Sequence, residues 1–148
     1  VEIENWPWLM KIFTLGKFRL IIDGKVVQFI KKGQQKPIEL LKALVSLGGV
    51  DVSEEDLTDV LWPDSDGDTA HQNFATTLHR LRQLIGHEKL ILLKDGKLTL
   101  NPSYCYVDAW AFERVLGKIE KESRRGYTEE MIQMSDKAIG LYQGHFLE

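Results

Sequence analysis

Residues 68–85 place polar side chains at a spacing that suits contact with base edges. At about 100° per residue, one helical face carries four of them: Gln72, Thr76, His79 and Gln83. Asn73 and Arg80 lie on one flank of this face, and Arg82 lies on the other. Gln and Asn can bond adenine through two hydrogen bonds, Arg can bond guanine or phosphate, and the Thr methyl can touch a thymine methyl. The pattern predicts a helix that contacts nucleic acid, with an ordinary solvated amphipathic helix as the alternative.

The same segment carries the signals of a complete helix. Its opposite face is apolar at helical spacing, through Phe74, Leu78, Leu81 and Ile85. Asp68 is the predicted N-cap, and Gly86 is the predicted C-terminal stop, because glycine adopts a left-handed conformation without a steric penalty. No Glu occurs between Asp68 and Ile85, although solvated helices commonly carry Glu/Lys pairs.

Composition places the chain among globular proteins that can bury a core. Its 148 residues suffice for one domain with an appendage, and 43% of them are hydrophobic. No apolar run is long enough for a membrane span, and no signal peptide is recognisable, so a cytoplasmic protein is expected. The single cysteine, Cys105, excludes an internal disulfide. Because the chain begins at Val1 rather than Met, we expect it to be part of a longer protein.

Charge is segregated along the chain. The net charge is −3, yet residues 50–68 contain eight carboxylates and no basic residue. The rest of the chain holds 19 basic and 14 acidic residues, a net charge of +5. Segregation of this kind can produce a basic face on a protein whose total charge is negative.

Turn and cap residues divide the remaining chain into short elements. Three strands are predicted at 11–15, 18–22 and 26–29, with an Asp23-Gly24 hairpin turn. Two helices follow, one beginning near Pro37 and ending at Gly48-Gly49, the other capped by Ser53 and ending at Trp62-Pro63. A β-hairpin with an Asp95-Gly96 turn comes after Gly86. Asp108 and Thr128 are the predicted caps of two final helices, 109–125 and 129–143.

Two segments resemble the signatures of OmpR/PhoB-type DNA-binding domains: Val52–Trp62 and Leu78–Gly86. The tail, through residues 107–114 and 138–147, resembles the start of the bacterial transcriptional activator domain that follows such winged helices in antibiotic-regulator-type activators. The resemblance covers residues 11–148 and implies an α+β fold. That fold is a winged helix-turn-helix with an N-terminal antiparallel sheet and a C-terminal wing hairpin over 11–103. An α-helical hairpin, the start of a helical-repeat module, is expected over 104–148.

The resemblance also implies a function, that of a bacterial transcriptional regulator bound to double-stranded DNA. In that family the third helix, here 69–85, enters the major groove and the wing, here 94–97, touches the backbone or the minor groove. The groove-facing positions are then Gln72, Asn73, Thr76, Thr77, His79 and Arg80. Arg82, Lys94 and Lys97 become phosphate contacts, and the loop residues Asp64 and Asp66 become candidates for contact with RNA polymerase. Self-association through the C-terminal helices is expected, because a single repeat leaves apolar surface uncovered.

Other kinds of site find little support in the sequence. Asp64–Asp68 lacks the glycine and glutamate positions of a calcium loop, and His71, His79 and His87 recur at a spacing that prevents them from sharing a metal. No catalytic motif is recognisable, so neither an enzyme nor a cofactor is expected. One alternative function remains open: a protein-interaction module whose winged helix no longer binds DNA and which docks partners through the acidic segment 50–68.

Overall fold

The computed structural model describes residues 6–28, 33–124, 126 and 128–147. These residues form two compact units. The central unit comprises Gln28–Tyr104, and the terminal unit combines the two ends of the chain, Val1–Val27 and Cys105–Glu148. The sequence-based boundary between 103 and 104 separates the C-terminal helices from everything before them, whereas the compact units group the N-terminal strands with those helices. The assignment of 11–103 as the winged-helix domain stays a prediction.

Three helices form the framework of the central unit. They are α1 (Gln35–Ser46), α2 (Glu54–Leu61) and α3 (Gly67–Ile85). Helix α1 has Pro37 in its first turn and ends where Gly48 and Gly49 adopt positive φ values. The predicted apolar face of α3 is buried throughout, and α1 and α3 pack together. In α2 only Leu57 and Thr58 are buried, and the Val60 side chain is 56% exposed.

The caps of α2 and α3 fix the helix-turn-helix. The predicted cap at Ser53 is confirmed, since its hydroxyl accepts a hydrogen bond from the Asp56 amide at 3.0 Å. The predicted cap at Asp68 is wrong: α3 begins at Gly67, and the Asp66 carboxylate accepts a hydrogen bond from the Thr69 amide at 2.7 Å. Asp68 lies within the first turn of α3 instead, where its charge still suits the helix dipole. Gly86 ends α3 in the left-handed conformation, as predicted.

The wing is part of a three-stranded sheet. Strands β5 (Ile91–Lys94) and β6 (Lys97–Leu100) form the predicted hairpin, and both turn residues, Asp95 and Gly96, have the positive φ of a type I′ turn. A two-residue strand, β4 (Val52–Ser53), pairs with the other edge of β6. The Glu54 amide donates to the Gly96 carbonyl at 2.8 Å, so the start of α2 holds the tip of the hairpin.

The terminal unit joins a four-stranded sheet to a helical hairpin. Strands β1 (Met10–Phe13), β2 (Arg19–Ile22) and β3 (Lys25–Val26) form the predicted antiparallel meander. The third strand is shorter than predicted, because Val27 and Gln28 lie outside it, and Phe29 lies outside the described residues. Strand β7 (Cys105–Val107) pairs in parallel with β1, which the sequence did not predict. Helices α4 (Asp108–Ser123) and α5 (Glu129–Leu141) then pack together, and the predicted Thr128 cap of α5 is confirmed.

Asp108 has a different role from the predicted cap. It is the first residue of α4, its side chain is buried, and Val107 occupies the cap position. Its carboxylate accepts hydrogen bonds from the Thr14 amide at 2.8 Å, the Thr14 hydroxyl at 2.7 Å, the Leu15 amide at 2.9 Å and the Ala109 amide at 2.8 Å. The carboxylate therefore fastens the start of α4 to the end of β1.

Candidate nucleic-acid interface

The outer face of α3 presents a continuous polar stripe. Gln72, Thr76, His79 and Arg80 are exposed, as predicted, and Asn73 is half-buried at one edge. Gln83, which the sequence placed on this face but not in the proposed site, is also exposed and extends the stripe towards the C-terminus. Because the apolar residues on the opposite face are buried, the stripe is held on a fixed helix.

Thr77 does not belong to this stripe. Only 6% of its surface is exposed, so its expected contact with a groove is wrong. At about 100° per residue it lies roughly 60° from Phe74, on the side that packs into the core. Because Thr is compatible with both faces of a helix, the residue type did not indicate that Thr77 is buried.

Arg82 is engaged within the central unit. One guanidinium nitrogen, Nη2, donates to the Ile91 carbonyl at 3.0 Å, and the side chain is half-buried. Its Nε is buried without a hydrogen-bond partner. The guanidinium therefore connects the last turn of α3 to the first residue of β5. This geometry suits a residue that orients the wing, whereas the family resemblance implied a phosphate contact.

The wing places two lysines side by side. Lys94 and Lys97 are direct cross-strand neighbours, and both are exposed on either side of the Asp95-Gly96 turn. Like charges directly opposite each other destabilise a strand pair, so packing gives no reason for this arrangement. An anionic partner would remove the repulsion between them.

The acidic segment is partly committed to contacts inside the central unit. Glu54 pairs with His71, which connects α2 to α3 and was not predicted, because the two residues are distant in sequence. The hydrogen bond from the Thr69 backbone amide, followed by one from its side chain, holds the pKa of Asp66 below its ordinary value. Asp64 and three residues of α2 remain exposed: Glu55, Asp56 and Asp59.

The described part of the chain contains neither a metal-binding cluster nor a membrane-spanning helix. Residues 6–28, 33–124, 126 and 128–147 contain no group of three or more His, Cys, Asp or Glu side chains placed to hold a metal ion. Within the same residues, no helix combines the length and apolar character needed to cross a membrane.

Comparison with known proteins identifies the fold. No protein-family model and no curated protein sequence matches the chain. Among solved structures, Mycobacterium tuberculosis EmbR, in complex with a low-affinity phosphopeptide, is similar with a TM-score of 0.73 and 20% identity. The match covers 95% of this chain but only 38% of the EmbR chain. The predicted α+β winged-helix fold, with its N-terminal sheet and following helices, is thereby confirmed. The phosphopeptide belongs to the EmbR complex.

Proposed function

We propose that the chain is the sequence-specific DNA-binding part of a bacterial transcriptional regulator of the OmpR/PhoB type. The observation that carries this proposal is the exposed polar stripe of α3 on a winged-helix framework. An α-helix fits the major groove, where each base pair presents a distinct pattern of donors and acceptors. A cytoplasmic location and the absence of catalysis and of a cofactor are parts of the same proposal.

Each exposed side chain of the stripe has a chemically matched target. Arg80 suits guanine O6 and N7, and Gln72 suits the N6 and N7 atoms of adenine. Asn73 offers a second amide for adenine at the edge of the stripe. Thr76 offers a methyl group for thymine, and His79 offers a hydrogen-bonding ring for a base or a phosphate.

Lys94 and Lys97 complete the proposed interface as phosphate contacts. Such contacts set the register of a protein on the duplex and carry no sequence information. Their paired positions at the hairpin tip allow both to reach one stretch of backbone. The wing then adds affinity, while α3 supplies discrimination between bases.

Selection of bound sites from random duplexes, followed by salt titration, tests this function. A recovered consensus and a linear fall of log K with log salt are expected, because bound lysines release counterions from the backbone. Lys94→Ala/Lys97→Ala should flatten that slope by roughly two. The matched control, Lys17→Ala/Lys25→Ala, removes two exposed lysines from the terminal unit and should leave the slope unchanged. No enrichment and no salt-dependent binding would refute the proposal.

A second candidate function rests on the exposed surface of α2. Val60 is 56% exposed beside three exposed carboxylates, and such a mixed surface suits a protein partner. In a DNA-binding regulator, the same surface and Asp64 would contact RNA polymerase. In a pure interaction module, it would be the whole function. The DNA titration separates the regulator from the pure interaction module, since only the interaction module is expected not to bind duplex DNA.

The helical hairpin is proposed to self-associate. Met131 is buried and contributes no uncovered apolar surface. Ile132 and Ile139 are instead 64% and 71% exposed on α5. Sedimentation of the full chain should show concentration-dependent association that Ile132→Ser/Ile139→Ser reduces. A monomer at all concentrations would contradict it.

A further inference from the structure

Helix α4 carries a stripe of positive charge that the proposed site does not use. Four exposed basic residues follow one another at intervals of three or four: Arg114, Lys118, Lys121 and Arg124. These four residues, here called the α4 basic stripe, line one shallow groove together with Gly117 and Glu120. Four cations and one carboxylate give this groove a net charge of +3, in a chain whose total charge is −3.

The side chains of the stripe have no partner within the described residues. None of the four makes an ion pair there, and Arg125, which continues the run in sequence, lies outside those residues. Like charges three or four residues apart destabilise a helix, and solvated helices usually alternate the sign of charge at this spacing. Glu120 and Glu122, each four residues from a basic side chain of the stripe, offset part of this repulsion. An anionic partner would remove the repulsion that remains.

Gly117 gives the groove a floor without a side chain. It lies in the interior of α4, where glycine weakens a helix relative to alanine. A Cβ atom placed at this position would meet no other atom within 4 Å, so packing does not require glycine. The missing side chain at Gly117 leaves room for the backbone of a partner molecule to approach α4 between the cations.

From these observations we infer that the α4 basic stripe binds the phosphate backbone of duplex DNA, as a second contact independent of α3. This inference rests on the proposed DNA-binding function. From Arg114 to Arg124 the helix rises about 15 Å, which equals the axial rise of about four base pairs. A row of cations of that length matches a row of phosphates. It offers no sequence discrimination, because phosphates carry none.

Two variants of the full chain test the stripe by different means. Lys118→Gln/Lys121→Gln removes two charges, and the control Lys17→Gln/Lys25→Gln removes two from elsewhere in the same unit. Gly117→Glu adds a carboxylate to the groove while it improves helix propensity, so any loss of affinity cannot come from unfolding of α4. Binding is measured as log K against log salt, on a duplex limited to the selected site and on one extended by about 20 base pairs on each side.

The outcomes separate this inference from the proposed function. With the stripe engaged, the extended duplex gives a steeper salt slope than the short one, and Lys118→Gln/Lys121→Gln flattens it by roughly two. Gly117→Glu should weaken the extended complex several-fold, while the control matches the unaltered chain. Equal slopes on both duplexes, unaffected by either variant, would overturn the inference and leave the proposed function intact. If the unaltered chain binds neither duplex, the proposed function itself fails.

Discussion

The strongest test of the interface concerns Arg82, for which sequence and structure suggest different roles. Its guanidinium bonds the Ile91 carbonyl at 3.0 Å, at the point where β5 begins. If this bond orients the wing, loss of the guanidinium should weaken DNA binding through Lys94 and Lys97. If Arg82 instead contacts a phosphate, its contribution to the free energy of DNA binding should be independent of Lys94 and Lys97.

The perturbation is Arg82→Met, which keeps most of the apolar stem and removes every donor. A hydrogen bond to a charged group contributes about 1.5–3 kcal/mol, and partial exposure together with the unpaired Nε places this one at the lower end. We therefore expect about 1.5 kcal/mol of lost stability, too little to unfold the central unit. Thermal melts check this before any binding is measured.

A double-mutant cycle then measures the coupling. Lys94→Ala/Lys97→Ala flattens the salt slope by roughly two in the unaltered chain, and by less than about one in the Arg82→Met background if the wing is misdirected. The coupling free energy should exceed about 0.5 kcal/mol. Arg80→Met is the matched control, because Arg80 is an exposed arginine on the same helix and should not couple to the wing. The positioning role is refuted if Arg82→Met alone flattens the slope by about one and all effects add within about 0.5 kcal/mol.

Three further perturbations probe the polar stripe of α3 and the two compact units. Arg80→Ala should leave the melting temperature nearly unchanged, because the side chain is exposed, and should weaken binding to the selected site by about 1–3 kcal/mol with relaxed preference at one base pair; equal losses on random DNA would reduce Arg80 to a phosphate contact. Asp66→Asn keeps a capping oxygen but lacks the charge, so at pH 6 it should melt slightly below the unaltered chain. Because the pKa of Asp66 is lowered from 3.8, the stability that its charge adds is present above about pH 3.8 and is lost as the pH falls further, so melts from pH 6 to 2.5 should show an acid-induced loss that the variant lacks; parallel curves would contradict this. Asp108→Asn should cost about 1–3 kcal/mol in denaturant titrations, because an amide donor would then face the Leu15 N–H, while Asp136→Asn on the exposed side of α5 should cost almost nothing.

The helices were predictable because their signals are local. The spacing of Phe74, Leu78, Leu81 and Ile85 specifies the buried face of α3, and that face determines which residues remain outside. The wing hairpin was predictable for the same reason, since Asp95-Gly96 is compatible with few other turns. The fold class, which the family resemblance implied, is confirmed.

Contacts between distant residues could not be predicted. Strand β7 is three residues long and pairs with β1 across more than 90 residues, and no local pattern encodes that pairing. The cap of α3 was ambiguous for another reason: Asp64, Asp66 and Asp68 are all suitable cap residues, and only the path of the loop selects Asp66. Thr77 was misjudged, and the contact of Arg82 with Ile91 was not predicted, because a polar side chain on the flank of a helix can serve the core or the solvent equally well.

The negative total charge of the chain is compatible with binding to a polyanion, because charge acts over a limited range. At about 0.1 M salt the screening length is about 10 Å, so a phosphate responds to nearby side chains rather than to the whole protein. Part of the acidic segment is already engaged in contacts within the central unit, through the Glu54–His71 pair and the Asp66 cap. The remaining exposed carboxylates should act at long range only in dilute salt, where the screening length grows to about 30 Å at 0.01 M. Charge segregation would thus favour contact through α3 and the wing at ordinary ionic strength.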